Sequence, residues 1–198
     1  MTKPADDLVL ERPPEVRRRN AEATRAAILA AGKRHFAESG YEGAYLRDIA
    51  AEAGVDAALI NRYFGGKEGL FQACLRAAIH SAQFFEGERA GFGARVARVF
   101  AERSPENFQA MLGFKLVLRA ATSPSTAHML SETAQERFMG PIRDWLGGPD
   151  AMARARLFSS LFIGLLVEGL IREETLAEPE RSAYADRLGA LFQQLVDG

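Results

Sequence analysis

Apolar residues recur along almost the whole chain at spacings of three and four, and no run of alternating β-branched residues bounded by hairpin turns interrupts them. This pattern predicts an all-α fold. From Thr24 to Glu38 the residues Ile28, Ala31, Gly32 and Phe36 form one stripe, and Gly40 follows as a helix stop. A short second helix is expected from Leu46 to Ala53, closed by Gly54, and Asp56 is placed to cap a third helix over Ala57–Tyr63. Gly65-Gly66 breaks the chain again before a longer helix from Lys67 to about Phe84, with Leu70, Phe71, Cys74, Leu75 and Ala78 on its inner side.

Beyond Gly87 the breakers are spaced more widely: Gly91, Gly93, Ser104-Pro105, Ser123-Pro124, Gly147-Gly148-Pro149 and Pro179. They divide the remainder into five helices, about nine in all. The last carries Tyr184, Leu188, Leu191, Phe192, Leu195 and Val196 on a continuous apolar face. The helix before it is apolar on nearly every side from Leu157 to Ile171, so it needs two buried faces, and a second copy of the chain is the natural cover for one of them. Leu161, Leu165, Leu188 and Phe192 are the candidate dimer residues. The implied organisation is an N-terminal arm over 1–20, a three-helix reading module over 21–81 and a larger helical domain over 85–198.

Composition narrows the function classes. A chain of 198 residues with 47% hydrophobic and 26% charged residues can bury a real core in two domains. Cys74 is the only cysteine, which excludes an internal disulfide and a multi-cysteine metal site. His35, His80 and His128 lack the spacings of a metal-binding set. Gly65-Gly66-Lys67 is not a phosphate-binding loop, because Asn61 stands where the upstream glycine belongs and Glu68 replaces Ser or Thr. Neither a G-x-S-x-G elbow nor an H-E-x-x-H helix occurs, so no enzyme activity, cofactor or metal is expected. The N-terminal segment lacks a secretory pattern. The most apolar stretch contains Glu168 and is shorter than the roughly 20 residues needed to span a bilayer. A cytoplasmic protein with no membrane partner is the expectation. Net charge is −1, so any contact with nucleic acid must come from local placement of charge.

That placement is found between Asp48 and Tyr63, which have the form of a helix-turn-helix. Ile49, Ala50, Val55 and Ile60 can pack the two helices at a steep angle around Gly54. The second helix is then free to enter a major groove. Ala57 and Ala58 offer methyl contacts, Asn61 can pair with adenine through two hydrogen bonds, and Arg62 or Tyr63 can reach phosphate or guanine. Lys67 opens the next helix, where free N–H groups favour a phosphate. Arg17-Arg18-Arg19 precedes the first helix and could serve as an arm on the DNA backbone or minor groove.

The run Gly40-Tyr41, Arg47-Asp48-Ile49-Ala50, Ala53-Gly54-Val55 and Arg62-Tyr63-Phe64-Gly65-Gly66-Lys67-Glu68-Gly69-Leu70-Phe71, with Thr24-Arg25, Ile28-Leu29, Ala31 and Phe36 upstream, resembles the DNA-binding domain of the tetracycline-repressor (TetR) family. The resemblance implies a homodimeric repressor on a double-stranded, palindromic operator. Its larger domain would hold an inducer pocket and its last two helices a four-helix dimer interface. Two positions depart from the family pattern. Ala44-Tyr45 stands where a Thr followed by Thr or Ser is usual, so Tyr45, with Arg47 beside it, is expected to take over the phosphate contact. Asn61 stands where Tyr is frequent and is the better base reader. For the inducer pocket, Phe108, Met111 and Phe162 are candidate apolar lining, while Lys115, Arg119 and Glu168 lie in otherwise apolar helices and could meet a polar group on an apolar or amphipathic ligand. A ligand-binding protein that keeps the fold without binding DNA is the alternative, motivated by Ala44 and the negative net charge.

Overall fold

The computed structural model describes residues 14–79, 85, 87–101, 106–171 and 176–198, with side chains described from Asn20 onward and outside 106–111. Every regular element among them is helical: α1 (Pro14–Gly43, broken by a kink at Gly40, where φ is 71° and ψ 179°), α2 (Leu46–Glu52), α3 (Ala57–Phe64), α4 (Lys67–Ala78), α5 (Phe92–Ala101), α6 (Glu106–Thr122), α7 (Ala127–Ala134), α8 (Gly140–Leu146), α9 (Ala151–Ile171) and α10 (Glu180–Asp197). A π-helical turn, Gln135–Met139, joins α7 to α8 without a break. Taken as one helix, that trio leaves nine among the described residues.

α1 begins ten residues earlier than its apolar stripe suggests. Pro14 suits a first helical position, where a missing N–H costs nothing, and the helix runs through residues 14–20, which the sequence assigned to the arm. Residues 1–13 of that arm, and 80–84 at the end of the expected fourth helix, lie outside the described residues. α2 ends in a Schellman turn: Val55 N–H donates to Ala50 O at 2.9 Å and Gly54 N–H to Ala51 O at 3.1 Å, with Gly54 at φ 68°. Asp56 Oδ1 accepts from Ala58 N–H at 2.7 Å and so fixes the start of α3.

Two cores hold the molecule together. The first contains Ile28, Ala31 and Phe36 of α1, Ile49 and Ala50 of α2, Ile60 of α3, and Leu70, Phe71, Cys74 and Leu75 of α4. It also takes in Leu116 and Ala120 of α6 and Met129 of α7, so the reading module is floored by helices of the larger domain. The second core gathers Phe92 and Val96 of α5, Ile142 and Leu146 of α8, Ala155 and Phe158 of α9, and Leu188, Phe192 and Val196 of α10. There α5 and α10 cross at Gly93 and Gly189, and Gly93 N–H donates to Gln193 Oε1 at 3.0 Å.

Two arginines close the C-terminal ends of α8 and α10, whose last carbonyls have no helical partner. Arg89 donates to Trp145 O (2.5 Å), Leu146 O (3.1 Å) and Val196 O (3.0 Å) and lies over the Trp145 ring. Arg154, buried on α9, donates to Asp150 Oδ1 at 2.8 Å, Leu195 O at 3.0 Å, Val196 O at 3.4 Å and Gly147 O. No helix among the described residues is long and apolar enough to cross a membrane, and none of their His, Cys, Asp and Glu side chains cluster as a metal site would require.

Candidate nucleic-acid interface

α3 buries Ile60 completely and leans Ala57, Leu59, Tyr63 and Phe64 on the first core. Ala58, Asn61 and Arg62, at i, i+3 and i+4, share the opposite face and are exposed. One face of a two-turn helix is thus anchored, and the other offers a methyl group, an amide and a guanidinium to the solvent. Ala57 and Tyr63 stand half-buried at the edges of that face.

The supports of α3 are held from below. Glu52, at the end of α2, accepts from Arg34 Nε at 2.5 Å and lies 2.8 Å from His35 Nε2, tying α2 to α1. Phe36, Tyr41 and Phe71 meet ring to ring between the end of α1 and α4, with centroids 5.0–6.2 Å apart. Lys67 caps this cluster: its Nζ lies 4.9 Å from the Tyr41 centroid and donates to Glu42 O at 3.3 Å. The cation expected to reach a phosphate is therefore positioned by the α1–α2 corner. Burial, with Glu68 and Glu42 nearby, pushes the Tyr41 hydroxyl above its usual pKa.

Tyr45 occupies the N-cap of α2 in extended backbone, without a side-chain cap, and is exposed beside Arg47, whose guanidinium lies 5.6 Å from the Tyr45 ring centroid. Ala44, the departure from the family pattern, is buried in the first core. One exposed cation went unassigned in the sequence: Arg25 of α1 sits 5.2 Å over the Phe64 ring, at the end of α3. Its place in the Thr24-Arg25 pair was visible, but its proximity to α3 was not.

Cys74 Sγ of α4 lies 3.1 Å from the point a Cβ on Gly32 of α1 would take, and burial pushes its thiol up to about 12. A folded-state pKa above the unfolded value stabilises the fold fully below about 8.5 and loses that contribution as pH rises toward 12. Denaturant titrations of the full chain should therefore show stability falling from pH 9 to 11. A Cys74→Ala variant, which has no thiol to ionise, should show a shallower fall; equal slopes would dismiss the effect.

Of the six candidate ligand residues, four have described side chains. The side chains of Phe108 and Met111 lie outside those described. Lys115 and Glu168 are exposed. Arg119 reaches the reading module, its Nε donating to Ala37 O of α1 at 2.8 Å, so its role in the fold is to join α6 to α1. Phe162 does enter an aromatic group with Phe100 (5.2 Å), Phe138 (5.8 Å) and Phe158 (6.0 Å). A groove of about 560 Å³ opens elsewhere, between α5 and α10, with Arg98, Arg181 and Asp186 among its lining. Of the candidate dimer residues, Leu188 and Phe192 are buried in the chain's own second core, and Leu161 and Leu165 pack against it. Within the chain, α10 packs against both α5 and α9.

Comparison with known proteins agrees with this geometry. Residues 28–74 match the family model described as bacterial regulatory proteins, tetR family, and residues 90–196 match that of the tetracyclin repressor-like C-terminal domain. No curated protein matches. Among solved structures, a TetR-family regulator from Streptomyces coelicolor A3 is 27% identical with a TM-score of 0.52, covering 95% of this chain and 99% of its own. NalD, the secondary repressor of the MexAB-OprM multidrug efflux pump in Pseudomonas aeruginosa, is 18% identical with a TM-score of 0.65, over 88% of this chain and 96% of its own. The multidrug binding protein EbrR, solved with malachite green, is 21% identical with a TM-score of 0.59, over 86% and 96%. With both halves matched in order, and a helix-turn-helix whose second helix presents an exposed polar face, the chain belongs to the TetR family of bacterial regulatory proteins.

Proposed function

We propose that the chain is a cytoplasmic transcriptional repressor that binds a palindromic operator as a homodimer and releases it when a small apolar or amphipathic molecule enters the second domain. The observation that carries the DNA half is the exposed Ala58, Asn61 and Arg62 face of an otherwise anchored helix. Two copies would set these helices into successive major grooves about 34–36 Å apart, or a multiple of it. Tyr45, Arg47 and Lys67 would hold the backbone, joined by Arg25. The dimer reading is supported by α9, where Leu157 (56% exposed), Gly164 and Ile171 (73% exposed) recur at intervals of seven on one side, an apolar surface of the kind that marks an interface.

The ligand half rests on the aromatic group around Phe162, which suits a flat apolar molecule, and on two similar structures being a multidrug binding protein and an efflux-pump repressor. A ligand that prefers one spacing of the reading helices would shift operator affinity by a coupling of about 1–3 kcal/mol.

A mobility-shift titration on the promoter beside the chain's own gene tests the reading, with sedimentation to confirm a dimer at micromolar concentration. Asn61→Ala should cost about 1–3 kcal/mol on the operator and relax the preference at one base pair. Lys67→Ala should weaken all sequences alike and reduce the salt slope by about 1 per half-site. No shift with wild type, or a monomer at that concentration, would reject it. Malachite green is the first inducer probe, expected to raise the melting temperature and lower operator affinity.

A further inference from the structure

Between the two cores the chain runs as a single helix. α7 seats Met129 and Leu130 in the first core, α8 seats Ile142 and Leu146 in the second, and the π turn is all that separates them. The turn also touches both sides itself. Arg76 of α4, in the reading module, donates to Glu136 Oε2 at 3.2 Å, while the Phe138 ring lies 6.2 Å from Phe158 and 5.8 Å from Phe162 in the aromatic group.

The sequence explains why the helix widens there. Pro141 has no N–H to offer Arg137 O, and its ring crowds that carbonyl, so the ordinary i→i−4 bond cannot close. The ladder closes one residue wider, with Gly140 N–H donating to Gln135 O. Gly140 permits the approach, since a Cβ there would stand 3.0 Å from that oxygen. A helix holding a π turn can return to the α register by slipping one residue, which turns one half against the other by about 100° and moves it about 1.5 Å. Because both halves are set in close-packed cores, intermediate positions are disfavoured and the two registers are discrete.

We propose that the Gln135–Met139 π turn is a register switch that couples the aromatic group of the second domain to α4 beneath the DNA-reading helix. A molecule wedged against Phe138 and Phe162 biases the register, and the slip reaches α4 through Glu136 and through the contacts of α7 with α4. Its use in induction rests on the repressor reading above; the mechanical coupling rests on the geometry alone and is measured without DNA.

Pro141→Ala in the full chain restores the missing N–H and should favour the α register. Amide exchange over residues 135–141 should slow by about tenfold, and exchange in α4 around Arg76 should quicken by about fivefold. The emission of Trp145, the chain's only tryptophan, should shift, because it rides on α8 against Phe92 at 4.8 Å. Glu136→Gln, which weakens only the contact with Arg76, should leave Trp145 emission unchanged. If residues 135–141 become protected while α4 exchange stays within about twofold of wild type, the turn is not coupled and the proposal is overturned. Unchanged exchange at 135–141 also overturns it, because the proline would then not hold the turn. An operator titration on the same samples separates the two readings: wild type that binds no DNA sinks the repressor assignment, while the exchange data still decide the switch.

Discussion

Arg154→Met should destabilise the chain by about 3–5 kcal/mol and lower its melting temperature by on the order of 10 °C. The buried guanidinium donates at once to Asp150, Gly147, Leu195 and Val196, where the chain ends of α8 and α10 meet the start of α9. Methionine matches the stem but leaves those carbonyls without this donor, at about 1–3 kcal/mol for each buried group left unsatisfied. Asp150 is 59% exposed and can turn to water, so the loss falls on the carbonyls. Arg154→Lys should recover less than half of it, because an ammonium cannot reproduce the planar fork. Thermal and denaturant unfolding of the three proteins checks this; a lysine variant as stable as wild type would show that charge alone matters there.

Gly93→Ala should be nearly as costly, about 3 kcal/mol or more, through overpacking. The added Cβ would stand 2.0 Å from Gly189 O and 2.8 Å from Gln193 N, and both atoms belong to the backbone of α10, which has no rotamer to yield. The two helices must part, and Phe92 and Phe192, both fully buried, lose their packing with them. Gly169→Ala provides the contrast: its Cβ would meet nothing within 4 Å, so that variant should gain about 0.5–1 kcal/mol from helix propensity. Equal stability of the two variants would mean that the α5–α10 crossing is looser than the structure describes.

The reading module was legible in the sequence because each of its boundaries is set by a residue acting on its own neighbours. Asp56 caps from two positions away, Gly54 closes the Schellman turn on Ala51, and Gly65, at φ 76°, ends α3. The second domain was less legible because its decisive partners are remote in sequence. Arg119 meets Ala37, 82 positions away, and Arg154 meets Leu195, 41 positions away; nothing local distinguishes either arginine from a surface one. Periodicity gave α10 its apolar face, yet Leu188 and Phe192 are buried in the chain's own second core, where the Phe192 ring lies 5.1 Å from Phe158 of α9. Gly140-Pro141 is a local signal of a different kind: it bends the hydrogen-bond ladder without ending the helix, whereas a glycine–proline pair ordinarily predicts a stop.

Leu116, Ala120 and Met129 belong to the same core as the helix-turn-helix, although they follow it by some forty residues or more. Grafting this module onto a foreign sensor by a cut just after α4 would therefore leave behind part of the surface on which α1 and α4 rest. A workable chimera has to carry α6 and α7 across, or rebuild their apolar contacts on the recipient's facing helices. The unit that can be exchanged between regulators of this design is larger than the unit that touches DNA.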